Sequence, residues 1–163
     1  MSLALTNGTG LASNYSINSR TAEITERPVT ISGSRSYDST TTADNSILTI
    51  TSGVSGESLS LTGAGILGAD SAGTQTITNN NTLAIADGTG SASNYTLNGA
   101  SINVTVIPKT LNVTLAREYD GTTTVAGALL TPTFDSLQGG ETLAISGTGS
   151  VANANVGSSK AVT

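Results

Sequence analysis

The chain writes much of itself twice. Residues 3–15 read LALTNGTGLASNY, and residues 83–95 read LAIADGTGSASNY, 80 positions later. The match continues through Ile17-Asn18 and Leu97-Asn98 to Pro28 and Pro108. Tyr37 then meets Tyr119 at an offset of 82, and Gly56-Glu57 meets Gly140-Glu141 at 84. A fixed period points to a tandem array, in which each unit buries its apolar face partly against a neighbour. The offset grows by two residues at a time, so side chains keep to the same face of any strand.

Within the repeat, apolar and polar residues alternate. Ile102, Val104 and Val106 are separated by Asn103 and Thr105, and Leu111, Val113 and Leu115 by Asn112 and Thr114. A period of two marks half-buried strands. Shorter strands are expected at 29–31, 47–50, 59–61, 83–85, 95–97 and 143–145. Asn7-Gly8, Asp87-Gly88, Asn98-Gly99 and Asp120-Gly121 supply turn chemistry between them. No window carries a helical stripe, and Thr, Ser, Asn and Gly form helices poorly. The expected class is all-β, built of tandem elongated sandwich-like modules of about 80 residues.

Pro28 and Pro108 each fall between two alternating segments, where a residue without an amide donor belongs. On that frame, 1–27 ends a preceding module, 28–107 is a complete one and 108–163 begins the next. A second frame places units at 1–80 and 81–163. The first frame leaves 108–163 and 1–27 as complementary parts of one module at opposite ends of the chain. It therefore predicts head-to-tail self-association by strand donation.

Composition narrows the chemistry. Charged residues make up 10% of the chain, and the net charge is −5, which gives no basic footprint for nucleic acid. No apolar run approaches the ~20 residues that span a bilayer. Histidine and cysteine are both absent, so Ser–His, Cys–His and thiolate or imidazole metal sites cannot be built. The two lysines, Lys109 and Lys160, stand in strand or junction contexts. No catalytic residue and no cofactor is expected.

The motif residues are Tyr37 and Asp38 in one copy, and Tyr119, Asp120 and Gly121 in the other. Each tyrosine should bury its ring and hand its hydroxyl to the backbone. Each aspartate should cap the turn, and the threonines that follow should open the next strand. Ser39 occupies the place of Gly121, which predicts that this position does not need a positive φ. Asp38, Asp70 and Asp87 are the weak candidates for calcium. No regularly spaced acidic series accompanies them, so self-capped turns are the simpler reading.

These pieces together resemble the YDG-type repeats of large filamentous-haemagglutinin-like secreted adhesins of Gram-negative bacteria. The resemblance rests on Tyr119-Asp120-Gly121-Thr122-Thr123, Gly140-Glu141, Gly147-Thr148-Gly149 and Asn155-Val156-Gly157. Ala92-Ser93-Asn94-Tyr95 and Ile107-Pro108-Lys109 also match. Ser39 and Arg27-Pro28-Val29 depart from the pattern. The resemblance implies an extracellular or cell-surface stalk, exported by two-partner secretion, that projects a binding region or contributes to biofilm matrix. Its partners would be neighbouring repeats of the same polypeptide. The alternative is a module that itself binds host or matrix glycans or proteins.

Overall fold

The computed structural model describes residues 3–127 and 132–163. Among them strands dominate, and 3-10 turns stand at Ala12–Asn14, Asn45–Ile47 and Ala92–Asn94. The protein is all-β.

Residues 27–107 hold eight strands. They are β1 (Arg27–Ser36), β2 (Thr42–Asp44), β3 (Leu48–Thr51), β4 (Leu59–Thr62), β5 (Ala64–Leu67), β6 (Gly73–Asn79), β7 (Ala84–Asp87) and β8 (Tyr95–Ile107). Six form one sheet in the order β2-β5-β6-β8-β1-β3, while β4 pairs with β7. β8 sits between antiparallel β6 and parallel β1. A parallel pair needs a long crossover, and residues 37–94 supply it.

Period-two alternation explains the core. Val29 and Ile31 of β1 point inward, as do Ile102, Val104 and Val106 of β8. The sheet curls until Ala43 of β2 and Leu67 of β5 lie on Val104 and Val106. Leu61, Leu83 and Tyr95 close over Val29, Ile31 and Ile102. Val104 is 0% exposed, and burying an aliphatic side chain that completely stabilises the fold by about 1.5–3 kcal/mol.

Asn98-Gly99 does not reverse the chain between two strands. It bulges one long strand: Pro28 faces Thr96, Thr30 faces Ser101, and Gly99 takes φ +71°. The turn chemistry is real, but β1 continues on the far side and recaptures the chain.

The second region is sparser. It contains β9 (Val113–Thr114), β10 (Thr124–Ala126), β11 (Thr133–Phe134) and β12 (Thr148–Ser150), paired as β10-β12 and β11-β9. The β10-β12 ladder repeats the register of β2-β5. Ala43 faces Gly65 as Val125 faces Gly149, and Asp44 faces Ala64 as Ala126 faces Thr148. The flanking bonds repeat as well: Asn45 N–H donates to Gly63 O at 2.9 Å, and Gly127 N–H to Gly147 O at 2.8 Å.

Two expected strands fall short. The alternation at 111–115 yields only β9, and 143–145 carries no ladder. Their counterparts in the first region, β1 and β4, are held by β8 and β7. No strand of residues 107–163 takes those two places among the described residues. Alternation supplies a face, but a ladder needs a partner. Residues 3–26 likewise form no strand, and Leu3, Leu5, Leu11, Tyr15 and Ile24 are exposed.

Candidate functional site

The two tyrosine-aspartate corners share one construction. Asp38 accepts at a single carboxylate oxygen from the amide of Thr40 (3.0 Å) and its hydroxyl (2.9 Å). Asp120 does the same with Thr122, at 2.9 Å each. These are Asx turns, in which the side chain replaces a backbone acceptor. The threonines lead into β2 and β10 as expected.

Each corner has a third member that neither the alternation nor the turn chemistry announces. Arg35 pairs with Asp38 and Arg117 with Asp120. Each guanidinium also reaches past the aspartate to the carbonyl of the second residue beyond it, Thr40 or Thr122. The signal was an arginine three residues before the aspartate in both copies. Hydrogen bonds from Arg117 and Thr122 hold the Asp120 carboxyl down, from an ordinary 3.8 to about 2. For Asp38, burial pushes upward, yet the Thr40 and Arg35 contacts outweigh it and leave the group lowered.

The clasp overturns the expectation drawn from Ser39. Gly121 has φ +76°, and Ser39 adopts φ +59°, squarely left-handed. A side chain in that region is disfavoured by about 1–2 kcal/mol. Charge-assisted bonds on both sides of the residue offset the strain. Position 121 does use a positive φ, and serine tolerates it because its neighbours fix the turn.

The tyrosines also depart from expectation. Tyr37 is half-buried against Ala43, Leu67, Val104 and Val106, and its amide donates to Ile107 O at 2.8 Å. Tyr119 is 67% exposed. Tyr37 is covered by the end of β8, and no strand among the described residues covers Tyr119. The buried tyrosine is Tyr95, 6% exposed.

Nor do the hydroxyls find backbone partners. Tyr37 donates to Glu141 and Tyr95 to Glu57. Donation to the Glu141 carboxylate raises the Tyr37 phenol to about 12, with burial and the charges of Glu141, Asp70 and Asp38 adding to it. Tyr95 is raised chiefly by Glu57.

Two hollows adjoin these groups. One, of about 590 Å³, lies between the regions beside Tyr37, Asp70, Pro108 and Glu141. The other, of about 800 Å³, runs between 113–119 and 151–162, with Tyr119 on its wall.

The calcium candidates are dispersed. Asp38 is engaged in its clasp, and Asp87 accepts from Ala92 N–H at 2.7 Å, as Asn7 does from Ala12 N–H. Asp70 lines the first hollow. No group of three acidic side chains converges among the described residues. Lys160 donates to the carbonyl and side-chain oxygens of Asn153. The polar groups of the corners thus hold backbone in place.

Residues 107–163 match the family model described as the YDG domain. The matched stretch holds the second corner, β9 to β12 and the 800 Å³ groove. Comparison with curated proteins and with solved structures gives no match. No helix of the described residues is long and apolar enough to cross a membrane.

Proposed function

We propose that the chain is a structural segment of a bacterial surface or secreted adhesin, built from tandem modules of about 80 residues. It would act as stalk, projecting a binding region or contributing to biofilm matrix. On this reading 28–107 is one module, and 108–163 begins the next. The observation that carries it is the repeated construction: the same Arg-Asp-Thr clasp and the same short ladder, in the same register, in both sequence copies. A stalk needs a unit that can be concatenated, and residues 107–163, the stretch that matches the YDG domain, share their corner and ladder with 27–107. Absence of histidine and cysteine favours structure over catalysis.

The test replaces residues 28–107, in the polypeptide that carries them, with an unrelated β-module of similar span. Adhesion of the displaying cells should persist, because only reach is required. Loss of adhesion with normal surface display would refute the stalk.

A second reading has its own observation. Tyr119 is an exposed aromatic on the wall of a groove, which suits stacking on a sugar. It predicts oligosaccharide binding that Tyr119→Ala abolishes.

A further inference from the structure

Tyr37 is bonded at both ends. Its amide donates to Ile107 O at 2.8 Å, where β8 runs out, and its hydroxyl donates to Glu141 in the second region. Residues 107–112 carry the chain from one region to the other, and they too are pinned at both ends. Tyr37 holds Ile107, and the Asp135 carboxylate accepts from the amide and the side chain of Asn112 at 2.7 Å each. Pro108, between the pins, has its φ fixed by its ring.

Two pins on one stretch of backbone still leave the second region free to turn about the line that joins them. The hollow of about 590 Å³ lies between the regions, so no packed apolar interface opposes that turn. Regions joined without such an interface ordinarily move against each other. Tyr37 and Glu141 both line the hollow, and their bond lies off the pinned stretch. It supplies the third point that an orientation needs.

Both partners are placed for it in advance. The Tyr37 ring packs on Ala43, Leu67, Val104 and Val106. Glu141 ends a tight turn, 136–141, in which Gly139 and Gly140 take φ +56° and +78°. There the Glu141 amide donates to Gln138 O at 2.9 Å. The turn lies close on the first corner: a Cβ added to Gly139 would stand 3.1 Å from the Ser39 hydroxyl. Groups already ordered lose little rotamer freedom when they bond.

We propose that the Tyr37–Ser39 corner is a seat for the 136–141 turn of the unit that follows, and that the Tyr37–Glu141 bond locks the angle between successive units. The inference rests on reading the two copies as successive units of one array. Glu57 holds the place of Glu141 in the first region, and there it accepts from Tyr95 of its own region. A carboxylate has two oxygens, so one glutamate can serve a tyrosine of its own unit and one of the unit before. The repeat then carries its joint with it, and the array resists bending at each junction.

Spin labels read this joint cleanly, because the chain has no cysteine of its own. Thr76→Cys on β6 and Thr148→Cys on β12 put one label at an exposed strand position in each region. Double electron–electron resonance on the full chain should give one narrow distance distribution. Tyr37→Phe, which keeps the ring in place, and Glu141→Ala should each widen it to at least about twice that width. The two together should widen it no further, since both remove the same contact. Tyr119→Phe, on the wall of the other hollow, should leave it unchanged. A broad distribution in the unmodified chain overturns the lock, as does a width that either joint variant leaves as it was. Additive widening, or equal widening by Tyr119→Phe, overturns it too. None of these failures touches the stalk, which is judged on cell adhesion.

Discussion

Residues 27–107 and 107–163 carry the same corner, the same clasp and the same short ladder, and differ in what lies over them. In the first, β8 threads between β1 and β6, and Val104 and Val106 vanish from solvent. In the second, Tyr119 and Val156 face solvent around an open groove, and Leu143 is exposed beside the other hollow. Local hydrogen bonding therefore suffices to set a turn and a three-residue ladder. Long strands appear only where a central strand gives both neighbours a partner.

The comparison can be broken at several points. Gly63 and Gly147 are equivalent positions, with φ +74° and +88°. A Cβ on Gly63 would meet the carbonyl oxygen of Thr82 at 2.1 Å, whereas Gly147 has nothing within 4 Å. Gly63→Ala should lose roughly 3 kcal/mol or more in urea unfolding, and Gly147→Ala about 1 kcal/mol. Equal losses would mean that the second region is covered after all.

Core deletion comes next. Val104→Ala should lower stability by about 2–3 kcal/mol. The equivalent Ile24→Ala, in dilute protein, should stay within about 0.5 kcal/mol.

The corners separate by backbone alone. Ser39→Gly should stabilise by about 0.5–1 kcal/mol and Gly121→Ser destabilise by a similar amount, both read from thermal midpoints.

The smallest effects are those of pH. Asp120 has its carboxyl held below its unfolded value, so its contribution is present above about pH 4 and lost as pH falls toward 2. Tyr37 is raised instead, so its contribution is whole below pH 10 and lost as pH climbs toward 12. Asp120→Asn should flatten the acid limb of the stability profile, and Glu141→Gln the alkaline one.

Much of this was legible in the residues. Alternation located the 102–106 segment of β8 and the short strands of the first region, because burial on one face writes itself every second position. The capping roles of Asp38 and Asp120 followed from Asx chemistry that needs no distant partner. The clasp arginines were overlooked although their spacing repeats, since an isolated arginine carries no periodic signal. Burial of Tyr119 was misjudged because an aromatic residue announces an apolar ring and not what lies over it. The left-handed turn at Ser39 went unseen for the same reason: its strain is offset by contacts from Arg35 and Asp38 that no local preference records.

By itself the sequence determined the β class, the repetition along the chain, the aspartate-capped corners at Asp38 and Asp120 and the exclusion of histidine and cysteine chemistry, all properties of neighbours along the chain. The tertiary structure decided that Asn98-Gly99 is a bulge and that Tyr95, not Tyr119, is buried. It also decided that Tyr37 bonds Glu141, far away in sequence. Those outcomes depend on which strand occupies the space between β1 and β6, and pairing between distant segments leaves no mark on either segment alone.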